Sequence, residues 1–194
     1  MHKSNLPKIY YFIDKFIEDD IKKLDKRIAI IFRNYQEKYS LKTIEKIRDF
    51  CRLNKRKFYI SNNIKLAINL GLNGVYIPSF NKNTNLKNFI KRKDFEILGS
   101  AHNQKELIIK EKQGCKCIFL APIFKVNKSK TFLGISKFNL IASYTNKKII
   151  ALGGIDSSNI KKLNLTKSYG FASISYIKKN GLNKFRPFLN ILVY

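Results

Sequence analysis

Apolar residues in this chain fall into two kinds of run that alternate along its length. Short runs rich in β-branched and aromatic residues occupy Lys8 to Asp14, Ile28 to Arg33, Lys57 to Asn62, Gly74 to Ser79, Phe95 to His102, Cys117 to Phe124, Lys148 to Ile155 and Gly170 to Ile177. Between them, apolar residues recur at three- and four-residue spacing over Phe16 to Leu24, Leu41 to Leu53, Ile64 to Leu70, Thr84 to Ile90, Gln104 to Gln113, Lys137 to Tyr144, Asn159 to Leu163 and Phe185 to Leu192. The first kind predicts strands and the second helices. Capping residues agree: Ser40 precedes Leu41, Asn103 opens the helix at Gln104, and Asp156-Ser157-Ser158 stand before the next-to-last helix.

Strands that are apolar almost throughout belong to a parallel sheet covered on both faces. Eight strand and helix alternations leave a closed (β/α)8 barrel or a doubly wound open sheet. No strand runs into a G-x-G-x-x-G turn; the glycine-rich turn is Gly153-Gly154, after the seventh strand. Barrels keep their phosphate site in the loops after strands seven and eight. The expectation is therefore a compact (β/α)8 TIM barrel with short helices, one domain over residues 1–194.

Charge changes the picture less than its size suggests. Thirty-nine Lys and Arg against thirteen Asp and Glu give +26 in 194 residues, which asks for an anionic partner. Lys supplies 32 of those cations, in a chain that also holds 28 Ile and 20 Asn. Such skew reads as compositional drift, and Arg, the better residue for bidentate phosphate or guanine contacts, is not enriched. The densest runs, Lys55-Arg56-Lys57 and Lys91-Arg92-Lys93, are short and close predicted helices. A diffuse, solvated basic surface is expected, and a nucleic-acid partner is disfavoured. Apolar runs stay well under the roughly 18 residues of a spanning helix, and the opening residues lack a signal-peptide core. Together they point to a cytoplasmic protein with no membrane partner. Cys51, Cys115 and Cys117 lack the paired spacing and the histidines of a zinc site and read as buried thiols.

Candidate chemistry gathers at the carboxyl ends of the later strands. Gly153 and Gly154 have no Cβ, so their N–H groups can approach an anion, with the helix beginning at Asp156 to Asn159 aimed at the same point. Ser175, at the end of the eighth strand, adds a hydroxyl. Alternation along the fifth strand places Ser100 and His102 on one face at its carboxyl end, with no acidic orienter evident; a polar plug is the competing reading. The loop Lys125 to Gly134 carries Lys125, Lys128, Lys130, Ser129 and Thr131 and suits the clamping of a diphosphate.

These residues resemble the thiamine phosphate synthase and thiazole tautomerase family of small barrels. The matching segments are Gly-Ser-Ala-His at 99–102, Ala-Pro-Ile-Phe at 121–124, Ser129-Lys130, Leu133-Gly134, Ala-Leu-Gly-Gly-Ile at 151–155 and Ile174-Ser175, with the first half following in outline. The resemblance implies a transferase that joins a pyrimidine methyl diphosphate to a thiazole phosphate carboxylate. Diphosphate leaves first, and the thiazole nitrogen attacks the resulting pyrimidine carbocation, giving thiamine phosphate, pyrophosphate and carbon dioxide. It further implies Arg33 and Lys130 on the diphosphate, Ser100 and Ser129 as hydroxyl donors, and Gly153, Gly154, Ile174 and Ser175 around the thiazole phosphate.

Departures from the family's pattern fall in one place. Where the family carries Gln and Lys around the second-strand Arg, this chain has Ile31 and Tyr35; where it carries magnesium-binding Asp residues after strands three and four, this chain has Asn62 and Asn81. Neutral amides offset magnesium's charge less well than carboxylates, so a weakened Mg2+ site at Asn62 and Asn81 is expected, with Asn62 retained as a substrate contact. Catalytic roles fall to Ser100, His102 and Lys130. Two alternatives stay open: a thiazole tautomerase with His102 as general acid or base, and a degenerate barrel that binds a thiazole or thiamine phosphate without turnover. A homo-oligomer is left open.

Overall fold

A computed structural model describes residues 6–37, 39–86, 92–127, 129 and 131–180. The strands are β1 (Ile9–Ile13), β2 (Ile28–Phe32), β3 (Phe58–Ser61), β4 (Gly74–Ile77), β5 (Glu96–Ala101), β6 (Cys117–Leu120), β7 (Lys148–Leu152) and β8 (Gly170–Ala172). They form a closed barrel in chain order, every pair parallel, with β8 returning to β1 through Ile9 opposite Phe171 and Tyr10 opposite Ala172. The expected barrel is the fold that forms.

Alternation within each strand splits the core into two shells. Tyr10, Phe12, Ala29, Ile31, Tyr59, Tyr76, Leu98, Cys117, Phe119, Ile150 and Ala172 make the cluster inside the barrel. Their neighbours in sequence, among them Ile9, Ile28, Ile30, Phe32, Ile60 and Ile118, face outward and pack under the helices. Residues on both faces are buried, which is why the strands read as unbroken apolar runs. Phe119 is central to the inner shell, with ring centroids 4.9 Å from Tyr10, 5.3 Å from Tyr76 and 5.9 Å from Phe12, all edge-on.

Helices α1 (Glu18–Lys22), α2 (Leu41–Leu53), α3 (Ile64–Asn69), α4 (Gln104–Lys112), α5 (Gly134–Ala142) and α6 (Ser175–Asn180) lie between or after the strands. Ser40 and Asn103 cap α2 and α4 as expected, their side chains accepting from the N–H groups of Thr43 and Glu106. Two elements differ. β8 stops at Ala172, because Ser173 turns its hydroxyl to accept from the N–H of Tyr176 and opens α6. The segment after β7 forms a 3-10 helix, Ile160–Leu165, preceded by an Asp156 turn in which the carboxylate accepts from the N–H and hydroxyl of Ser158. Of the helix expected over Thr84 to Ile90, residues 87–90 lie outside the described residues, as does Phe185 to Leu192.

Basic residues are less diffuse than composition implied. Arg56 is buried and donates to the carbonyls of Ile21, Leu24, Asp25 and Ile28, stapling the end of α1 to β2. At the amino-terminal end of the barrel, the buried Glu96 carboxylate accepts from Lys57 Nζ at 2.6 Å and from the Tyr59 hydroxyl. Neither arrangement shows in a one-dimensional pattern, since the partners lie 28 to 39 residues apart in the chain. All three cysteines are buried thiols. No helix among the described residues is long and apolar enough to cross a membrane.

Candidate active site

Two arcs of residues face one another at the carboxyl-terminal mouth of the barrel. The first is carried by β2 to β5. Arg33 follows β2 directly, and its N–H donates to Ile13 O at 2.8 Å, which continues the β1 to β2 ladder by one residue. Its guanidinium lies over the Phe12 ring, 4.6 Å from the centroid. Tyr76, inward on β4, brings its phenol to both Ser100 and Arg33; burial pushes that phenol up to about 12 although those two contacts pull it down. Tyr35 bonds Ser61 through its hydroxyl at 2.7 Å and meets the exposed Phe80 edge-on. An aromatic rim thus stands where the resemblance called for a lysine.

Asn62 and Asn81 come together on the same arc. Asn81 Nδ2 donates to Asn62 Oδ1 at 2.7 Å. Asn62 sits at φ +58°, a left-handed conformation asparagine tolerates better than most residues, and its N–H donates to Tyr76 O at 2.8 Å. Asn81 is held from behind by α4, where the wholly buried Lys110 reaches its carbonyl at 2.8 Å. Burial lowers the Lys110 amine to about 8, so it remains an ammonium at neutral pH.

Magnesium prefers anionic oxygens in a near-octahedral set. Here both positions are neutral amides bonded to each other, and no group of three or more His, Cys, Asp or Glu that could hold a metal ion occurs among the described residues. The residues present do not fit the metal.

Ser100 and His102 separate, against expectation. Ser100 is inside the barrel and buried, but strand pairing ends with Ala101 opposite Leu120, and Asn103 already caps α4. The chain turns at His102, whose half-exposed ring places Nδ1 2.9 Å from Glu106 Oε2. That oxygen also accepts from the His102 N–H at 2.8 Å, so an acidic orienter does exist, one helical turn along.

The second arc comes from β6 to β8. Gly153 and Gly154 have φ of +94° and +72°. A Cβ on Gly153 would lie 2.7 Å from Pro122 Cβ, and one on Gly154 2.5 Å from Lys125 O. Both glycines are thus needed for the loop after β6 to dock on β7, where the N–H of Phe124 donates to Gly153 O at 3.1 Å. Ile174 and Ser175 follow β8 and are exposed, Ser175 as the first residue of α6 rather than the last of a strand. The Ser129 hydroxyl is engaged in its own loop, donating to Thr131 O at 2.8 Å. Lys128 and Lys130 lie outside the described residues.

Sequence reading missed Tyr76, Glu106, Lys110 and Gln113. Tyr76 was accessible, being an inward position near the end of a predicted strand. Lys110 left a fainter signal, a lysine three residues after Leu107 on the buried side of α4.

Comparison with known proteins follows the same lines. Residues 18–177 match the family profile described as Thiamine monophosphate synthase. A thiamine-phosphate synthase of Clostridium perfringens is 26% identical over 164 residues, covering 82% of this chain and 79% of the relative. One from Pelagibacter ubique is 30% identical over 147 residues, covering 74% of this chain and 69% of the relative. Among solved structures, thiamine phosphate pyrophosphorylase from Pyrococcus furiosus superposes with a TM-score of 0.79 at 18% identity, covering 98% of this chain and 99% of that one.

Proposed function

Because the chain belongs to the thiamine monophosphate synthase family, we propose that the barrel mouth carries out a synthase-type transfer between a pyrimidine methyl diphosphate and a thiazole phosphate carboxylate. In this reaction the carbon–oxygen bond to the diphosphate breaks, and the departing pair of electrons leaves with pyrophosphate. The thiazole nitrogen then supplies the electrons of the new carbon–nitrogen bond, carbon dioxide leaves, and the electron pair it leaves behind takes up a proton from solvent to give the thiazolium. One observation carries the reading: Arg33, Tyr76 and Ser100 on one arc face a glycine and serine arc at Gly153, Gly154 and Ser175 across a single mouth. Two phosphorylated substrates need such opposed sites.

Arg33 supplies fixed positive charge where the leaving group gathers negative charge. The Tyr76 phenol, itself beside Ser100, orients that guanidinium. Phe12, under the Arg33 guanidinium, and Phe119 are buried below the mouth, an apolar floor that keeps water from beneath a flat cation. Lys130 acts on the diphosphate from the loop after β6, and Ile174 and Ser175 hold the thiazole phosphate. Purified protein incubated with both substrates should form thiamine phosphate and release pyrophosphate in equal amounts. If neither appears above the background of an Arg33→Ala control, the assignment fails.

A further inference from the structure

The orientation of the two asparagine amides follows from one backbone contact. The N–H of Asn83 donates to Asn81 Oδ1 at 3.0 Å, and a backbone N–H can only meet an acceptor. Asn81 must then turn its nitrogen to Asn62, and Asn62 must answer with its oxygen. Each oxygen already accepts a hydrogen bond within this group. Each oxygen keeps one lone pair, while three N–H bonds stay open among the described residues: both of Asn62 Nδ2 and the second of Asn81 Nδ2. Open donors outnumber open acceptors, and with no carboxylate at either position the pair suits an anion better than a divalent cation.

The pair is also set rigidly. Lys110 Nζ donates to Pro78 O at 2.7 Å, Asn81 O at 2.8 Å and Gln113 Oε1 at 2.9 Å. Gln113 Nε2 donates in turn to Asn81 O at 2.9 Å and Asn83 O at 2.8 Å. Two side chains of one helix segment thereby grip the backbone on both sides of Asn81. Donors held this way need no reorganisation when an anion arrives.

The geometry points to a metal-independent anion subsite, in which the Asn62 and Asn81 amides, locked by Lys110 and Gln113, hydrogen-bond directly to phosphate oxygens of the diphosphate. This rests on the transferase reading and deepens it. Arg33 on the neighbouring strand supplies the full charge, and the amides supply direction. Lys110 is a positioning residue, since its ammonium donates to three protein oxygens.

The test uses inorganic pyrophosphate and the full chain in a calorimeter, with EDTA or with excess magnesium. Binding should be equal within about twofold in the two buffers, and Asn62→Ala and Asn81→Ala should each weaken it about tenfold, the worth of a hydrogen bond to a charged group. Asn62→Asp, of the same size, should weaken binding at least tenfold in EDTA and regain it with magnesium. Lys110→Met should weaken binding while hydrogen exchange reports faster opening at residues 79–83. Wild-type binding that requires magnesium overturns the subsite, as do alanine variants that fold and bind like wild type. The two readings fail separately: pyrophosphate binding in EDTA without thiamine phosphate synthesis removes the transferase alone, and synthesis that strictly requires magnesium removes the subsite alone.

Discussion

Gly99 and Lys110 are complementary in shape: a Cβ built on Gly99 would fall 2.8 Å from Lys110 Cδ and 2.6 Å from Cys115 Sγ. The missing side chain on β5 makes the room through which the lysine stem passes toward the loop after β4. Gly99→Ala should therefore cost about 1–3 kcal/mol, the usual range for overpacking a core. It should also loosen residues 78–83, because the displaced ammonium loses its carbonyl partners. Thermal melting and amide exchange measure the two effects. Loss of stability with unchanged exchange in that loop would separate Lys110 from the rim.

A buried carboxylate at the amino-terminal end makes a second prediction. Lys57 and Tyr59 both bond Glu96, whose side chain is 2% exposed. Removing the cation leaves an uncompensated buried charge, so Lys57→Met should destabilise the fold by about 3–5 kcal/mol. Glu96→Gln in the same chain should recover part of the loss, with a coupling of about 1 kcal/mol or more in a double-mutant cycle. Simple additivity would mean that the pair contributes nothing specific.

In the transfer proposed above, Arg33 is the charged group most exposed to mutation. Arg33→Ala should lower kcat/KM for transfer about a hundredfold, and Arg33→Lys should restore only part, since a lysine does not match the planar contacts of guanidinium with Phe12 and Tyr76. Melting temperature should barely change in the lysine variant. A lysine variant with full activity would reduce the role of Arg33 to charge alone.

Alkaline pH should unfold the protein through its buried acids. Burial pushes the Cys51 thiol up to about 12 and raises the Cys117 thiol and the Tyr10 and Tyr59 phenols. In the unfolded chain a thiol titrates near 8.5. Above that pH the unfolded state has shed a proton the folded state keeps, so stability falls as pH rises, by up to about 1.4 kcal/mol per pH unit for each such thiol. Urea midpoints from pH 8 to 11 should show this decline, less steep in Cys51→Ala. Equal slopes would mean that the thiol ionises within the fold.

Much of the architecture was present in local pattern. Eight apolar runs and their spacing predicted the barrel, and the caps at Ser40 and Asn103 placed two helix starts correctly, because burial on both faces and capping depend on neighbours in the chain. Boundaries failed where a side chain three or four residues from its partner closed a local turn and ended the strand. Ser173, which caps α6, ended β8 early, and the turn at His102 carried that ring away from the barrel interior and onto Glu106.

Residue identities alone gave asparagines at positions 62 and 81, where the resemblance leads one to expect magnesium carboxylates, and a glycine pair after the seventh strand. Tertiary structure decided what those identities do. Asn62 and Asn81 are nineteen positions apart, and only the parallel pairing of β3 with β4 brings their loops side by side and orients one amide against the other. Lys110 is one of thirty-two lysines by composition, yet it alone among the described lysines is fully buried, because Gly99 opens the space and three oxygens converge on its ammonium. Hydrogen-bond direction and burial are properties of positions in space, and no pattern along a chain encodes them until the barrel has closed.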